Sequence, residues 1–172
     1  DEVLLYLPQL VQALKREHTK ELKNLLIDEC RHDVDFASRF YWTACSDPSG
    51  TMKLIIKELF ESIDSSVSTE IKKSISLMKE IEGIISPPAD EQGKKKSKSE
   101  KEQYITNIIQ NNARLQRFKE PILSPIDPSL VILGILPKDV RIFTSKTEPV
   151  RLSLIVKDAK AHNAPERIQK YM

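Results

Sequence analysis

Three histidines, two cysteines and an abundance of carboxylates are the side chains of this 172-residue sequence whose types could do chemistry. His18, His32 and His162 sit in no HExxH pattern and at no metal-ligand spacing from the cysteines. The densest cluster is Asp28-Glu29-Cys30-Arg31-His32-Asp33. A metal needs ligands converging from one side, and consecutive helical residues point all round the axis, so this stretch reads as a solvated helix end. Cys30 and Cys45 lack a CxxC spacing and lie in apolar-rich patterns, which predicts small buried hydrophobes in a reducing setting. The four glycines, Gly50, Gly83, Gly93 and Gly134, allow neither GxGxxG nor GxxxxGK[ST]. There is no G-x-S-x-G elbow, and the carboxylates are interleaved with lysines as on an exposed helix face. The residues predict no complete active site, and no cofactor held by this chain.

The net charge is only +2, but Lys94–Lys101 (KKKSKSEK) holds five lysines and one glutamate. Such a run is read first as a solvated linker, with contact to an anionic membrane surface as the second reading. Nucleic acid is the third and weakest, because no aromatic side chains are interleaved to stack bases. No nucleic-acid partner is expected. Trp42, within Phe40-Tyr41-Trp42, reads as helix packing.

Apolar residues make up 40% of the chain and charged residues 30%, a globular or helical-repeat balance. No apolar run approaches the roughly 20 residues that span a bilayer. Asp1-Glu2-Val3 carries neither an initiating methionine nor a secretory h-region, which predicts a piece of something longer. Leu4, Leu7, Val11 and Leu14 form one helical stripe, expected to start in earnest at Pro8, since proline suits a first helical position. Thr19 is the expected cap of a second helix carrying Leu22, Leu25, Leu26 and Glu29. A third is expected over 33–45 with Phe36, Phe40, Tyr41 and Ala44, and a fourth over 51–63 with Leu54, Ile55, Leu59 and Ile63. The longest period, Val67, Ile71, Ile75, Met78, Ile81 and Ile85, predicts a fifth, ended by Pro87-Pro88. Residues 87–99 lack any large apolar side chain and read as a linker or insertion. A sixth helix is expected over 100–118.

After Glu120 prolines recur and the period changes. Leu130–Leu133 and Val140–Phe143 read as short strands, and Val150–Val156 alternates as a half-buried strand does. The last two form a hairpin closed by Ser145-Lys146-Thr147-Glu148. The tail 158–172 is polar, with at most one helical turn after Pro165. The expected fold is mainly α, a helical solenoid or bundle followed by a linker and a β-hairpin (α+β). Its divisions are 1–86, 87–99, 100–157 and 158–172.

Two stretches carry a resemblance to a known family. LLYLPQLVQALKRE (4–17), followed by RFYWTACSD (39–47), resembles the accessory helical domain of phosphoinositide 3-kinases, which carries a tyrosine-tryptophan pair at the second place. PILSPIDPSLVILGILPKDVRIFTSKTEPVRLSLIV (121–156) resembles the opening of the lipid-kinase catalytic domain, with its Pro-Ile-Asp-Pro-Ser entry and first hairpin. The long fifth helix and the GKKKSKSEKE stretch are similar in character to the class III, phosphatidylinositol-specific branch. The resemblance implies that the loop of the first hairpin lies over the ATP phosphates, with Thr144, Ser145, Lys146 and Thr147 as the phosphate loop and Ser145 as the contacting serine. Beyond Val156 the resemblance stops. No ATP-binding lysine strand, catalytic loop or Asp-Phe-Gly follows, and Thr43-Ala44-Cys45 replaces bulkier residues. The implied protein is a segment of a phosphatidylinositol 3-kinase that uses ATP and Mg2+ in complete form. It would be cytoplasmic and peripheral to endosomal or other intracellular membranes. It would act on phosphatidylinositol membranes and meet regulatory subunits through its helices. The alternatives are a type III phosphatidylinositol 4-kinase segment and a non-enzymatic α-solenoid adaptor.

Overall fold

The computed structural model describes residues 2–16, 20–86, 97–161 and 164–171, and every structural statement here concerns these. In chain order the elements are α1 (Glu2–Ala13), α2 (Lys20–Cys30), α3 (Val34–Cys45), α4 (Gly50–Ser62), α5 (Ser65–Ile85), α6 (Lys98–Gln110) and α7 (Ala113–Gln116), then β1 (Ile122–Leu123), β2 (Leu130–Ile142), β3 (Val150–Asp158) and β4 (Arg167–Tyr171). The strands form one antiparallel sheet in the order β1-β2-β3-β4. The chain is thus mainly α with a β part, the class the sequence pattern predicts. It divides into two units, one of residues 1–74 with 125–128 and the other of residues 75–124 with 129–172.

In the first unit α1 buries Leu7 and Val11, and Leu14, just past its end, is buried with them. It does not begin at Pro8 but runs through it. An interior proline costs about 3 kcal/mol, whereas three buried aliphatic side chains contribute about 1.5–3 kcal/mol each, so the stripe prevails. In α2 the buried face is Leu26, Ile27 and Cys30, while Leu25 is 58% exposed. In α4 it is Met52, Ile55 and Leu59, while Leu54 is 70% exposed. The α2 stripe is turned from the expected one, because adjacent leucines satisfy either phase of a 3.6-residue period and packing chooses between them. In α4, by contrast, Ile55, Leu59 and the C-cap Ile63 are buried as expected and Leu54 alone turns outward. Thr19, the expected cap of α2, lies outside the described residues. Asp33 caps α3, accepting from the N–H groups of Asp35 (2.9 Å) and Phe36 (3.0 Å). Ser49 caps α4. Tyr41 meets Trp42 and Phe60 edge to face, with centroids 5.0 and 5.6 Å apart, and Trp42 is half-buried as helix packing requires. Of the cysteines only Cys30 is buried; Cys45 is exposed, against expectation, at the C-terminal end of α3 where the helix leaves the core.

The second unit has a core of Leu77 and Ile84 from α5, Ile105 and Ile109 from α6 and Leu115 from α7. These pack with Leu130, Ile132, Ile135, Val140 and Ile142 from β2 and Leu152, Leu154 and Val156 from β3. Of the expected linker, residues 87–96 lie outside the described residues, while Ser97 and Glu100 form a capping box that opens α6. The expected sixth helix ends early. Asn112 accepts from the N–H groups of Arg114 and Leu115 and starts the separate turn α7, the local competition typical of asparagine.

The two strands expected at 130–133 and 140–143 are one strand of 13 residues. Register passes from Leu136–Ser153 to Arg141–Arg151, so residues 137–140 bulge opposite Leu152 alone. Pro137 has no N–H to give the ladder and Asp139 adopts φ 66°, which is why the pattern reads as two strands. The tail also departs from expectation. After Pro165 it forms not a helical turn but β4, paired from Leu152–Tyr171 to Val156–Arg167. Five polar-rich residues carry too little periodicity to announce a strand; the backbone groups along β3 supply what the side chains do not. Arg117, donating to Glu166 at 2.9 Å, joins α7 to the start of this tail.

Candidate functional site: the loop between strands two and three

The tip of the β2–β3 hairpin gathers the polar side chains that the family resemblance singled out. Ile142 and Val150 are the last paired residues, and the Phe143 N–H donates to the Pro149 carbonyl at 3.0 Å. Beyond that bond the chain turns sharply, with the Glu148 N–H donating to the Ser145 carbonyl at 3.2 Å. This places Lys146 and Thr147 at the two corners of the turn. Glu148 has φ 43°, an uncommon conformation for a residue other than glycine. Thr144, Ser145, Lys146 and Thr147 are all exposed, and the Ser145 and Thr147 hydroxyls approach to 3.4 Å. At the base of the loop the Arg151 guanidinium lies over the Phe143 ring, 5.7 Å from its centroid.

Three hydroxyls, a lysine and the turn's N–H groups on one exposed tip are chemistry suited to an anion with several oxygens. Carboxylates attend the loop too, which sequence reasoning missed. Glu148 is ion-paired with Lys101, whose side chain is only 17% exposed. The basic run therefore ends not in a solvated lysine but in a half-buried one committed to the hairpin. Glu102 accepts from the Ile142 N–H at 2.8 Å and lies 3.9 Å from Arg141. The signal available in sequence was a Lys-Glu pair at the start of a helix, which any surface helix also shows.

The cluster from Asp28 to Asp33 is not drawn together. Arg31 donates to Asp28 at 3.0 Å, His32 meets the Asp64 carboxylate at 2.6 Å, and Asp33 caps α3. Cys30 is buried, its thiol pushed up to about 12 by burial first, then by the charges of Asp33 and Glu29. Among the described residues no group of three His, Cys, Asp or Glu side chains could hold a metal ion. Among them, too, no helix is long and apolar enough to cross a membrane.

A second feature lies within the first unit. Pro125, Ile126 and Pro128 line a groove with Leu4, Leu7 and Pro8 of α1 and Arg39, Trp42 and Thr43 of α3. Arg39 donates to Asp35 at 2.7 Å and lies 3.7 Å from Asp127. The Pro-Ile-Asp-Pro stretch, expected to open the hairpin region, belongs structurally with the helices.

Comparison with known proteins agrees with these motifs. Residues 1–81 match the family model of the phosphoinositide 3-kinase family accessory domain (PIK domain). The chain is 30% identical over 173 residues to a protein named phosphatidylinositol 3-kinase, root isoform, from Glycine max, covering 89% of this chain and 21% of that protein. It is 23% identical over 206 residues to phosphatidylinositol 3-kinase VPS34 of Candida albicans, covering 94% of this chain and 20% of the relative. It is 28% identical over 165 residues to the human phosphatidylinositol 3-kinase C2 domain-containing subunit gamma, covering 90% and 11% respectively. The chain thus spans about a fifth or less of the length of these relatives.

Proposed function

We propose, on the premise that this chain is related to the phosphoinositide 3-kinase family, that it is the accessory helical domain and the opening of the catalytic domain of a phosphatidylinositol 3-kinase. The complete enzyme transfers the γ-phosphoryl group of ATP to the inositol 3-hydroxyl of phosphatidylinositol at an intracellular membrane. Residues 1–86 serve as a scaffold that offers surfaces to regulatory subunits, 87–99 link, and 100–157 open the kinase N-lobe. The hairpin loop, with Thr144, Ser145, Lys146 and Thr147, cradles the ATP phosphates. Magnesium is needed for the transfer. No ligand for it is proposed among the described residues, which offer no three-ligand group.

One observation carries the reading: the phosphate-type loop is exposed at a hairpin tip with its hydroxyls, turn N–H groups and lysine free of the core. The names of the relatives support the 3-kinase assignment, and none of those compared favours the 4-kinase or adaptor alternatives. Substitution tests the loop. A hydroxyl donating to a phosphate oxygen makes a charge-assisted hydrogen bond of about 1.5–3 kcal/mol. Ser145→Ala in the complete protein should raise the KM for ATP by about one to two orders of magnitude at most. His32→Ala should leave it within about threefold, because His32 lies on no part of the hairpin. A silent Ser145→Ala beside an inactive His32→Ala would overturn the loop assignment.

A further inference from the structure

We infer that α6 sets the shape of the 143–149 loop through two adjacent side chains, Lys101 and Glu102, which act as positioning residues for the nucleoside triphosphate. Each grips a different stalk of the hairpin. Glu102 takes the Ile142 N–H at 2.8 Å, on β2, and Lys101 pairs with Glu148, where the loop returns toward β3.

The backbone explains why these contacts matter. Ile142 faces Val150 across the ladder, yet its N–H points away from β3, toward the side where β1 pairs. The β1 partners of β2 are Val131 and Ile132 only, so on that side no strand among the described residues reaches Ile142. Ile142 itself is 4% exposed, and a buried N–H without a partner is costly. The Glu102 carboxylate stands in for the missing strand. On the other stalk, Glu148 holds a positive φ just before Pro149, a residue that restricts its predecessor to extended backbone. Its pairing with Lys101 helps to hold this uncommon conformation, and with it the turn between Ser145 and Glu148.

The grip is rigid because α6 is. Lys101 and Glu102 lie one turn from Ile105, and Ile105 and Ile109 are fully buried against β2. Burial of the same helix face thus fixes the distance between core and loop.

The consequence for nucleotide binding rests on the phosphate-loop reading above; the consequence for loop order does not. In the complete protein, Lys101→Met and Glu102→Ala should each speed amide exchange in peptides covering 142–149 by about threefold to tenfold, with the rest of β2 and β3 unchanged. The KM for ATP should rise by a similar factor while kcat stays near its original value, and Glu102→Gln, which keeps an acceptor, should recover part of both. If Glu102→Ala loosens the whole sheet, Lys101→Met, which removes only the contact to the exposed Glu148, decides. Unchanged exchange in 142–149 overturns the inference. So does faster exchange with an unchanged KM when Ser145→Ala does raise it. Faster exchange with both substitutions silent in KM retains the α6 grip and overturns the nucleotide reading instead.

Discussion

Cys30 and Cys45 share a residue type and a helical setting, and the fold separates them. Cys30 is fully buried at the end of α2 and its thiol is pushed up to about 12, chiefly by burial. Cys45 is exposed as a residue, its thiol raised by partial burial while a hydrogen bond with Tyr41 pulls the other way. Because the thiolate is the nucleophile, iodoacetamide at mildly alkaline pH should modify Cys45 first and reach Cys30 only on unfolding. Mass spectrometry showing Cys30 modified in the folded protein would contradict this. Asp47 gives a pH dependence of definite sign. Its carboxyl is held down at about 2, first by the hydrogen bond from Lys15 and then by the N–H of Ser49. A carboxyl lowered on folding stabilises above its unfolded value, and the contribution is lost as pH falls from 3.8 through about 2. Asp47→Asn should therefore flatten the melting temperature against pH over that window, with little change in slope above pH 5. Neither contrast is written in local sequence, since burial of Cys30 and the reach of Lys15 to Asp47 depend on how separate helices pack.

At the scale of elements, two glycines make opposite predictions. A Cβ on Gly134 would lie 2.0 Å from the Gln116 carbonyl oxygen, so β2 and α7 approach too closely for any side chain. Gly134→Ala should destabilise by about 1–3 kcal/mol or more, the range for overpacking. A Cβ on Gly83 in α5 meets nothing within 4 Å. Gly83→Ala should instead stabilise by about 0.5–1 kcal/mol through helix propensity. Urea midpoints of the two variants moving in the same direction would refute this account of Gly134. The helices were legible because apolar residues recur at 3.6-residue spacing, and β3 because Val150, Leu152, Leu154 and Val156 alternate. What periodicity could not supply was phase and pairing. Leu25 and Leu54 occupy the wrong side of their helices, β2 is continuous across its 137–140 bulge, and β4 owes its existence to β3 rather than to its own side chains. The loop residues Thr144–Thr147 were legible only by resemblance, and the Lys101 and Glu102 contacts not at all, because they join positions 40 and more residues apart.

For the molecule as a whole, the proposed function makes this chain part of a machine whose chemistry is completed elsewhere. A hairpin loop can orient phosphates, but phosphoryl transfer also needs a lysine on the triphosphate, a base or positioning group and metal ligands. None of the motifs that supply these follows Val156 in this sequence. The most direct measurement presents vesicles of phosphatidylinositol, magnesium and γ-labelled ATP both to the complete protein that carries this chain and to the 172-residue chain alone, and resolves labelled lipid by ring position. The complete protein should yield lipid phosphorylated at the inositol 3-hydroxyl, and the 172-residue chain should yield none. Unlabelled lipid from the complete protein, label at another hydroxyl, or turnover by the chain alone would contradict the account.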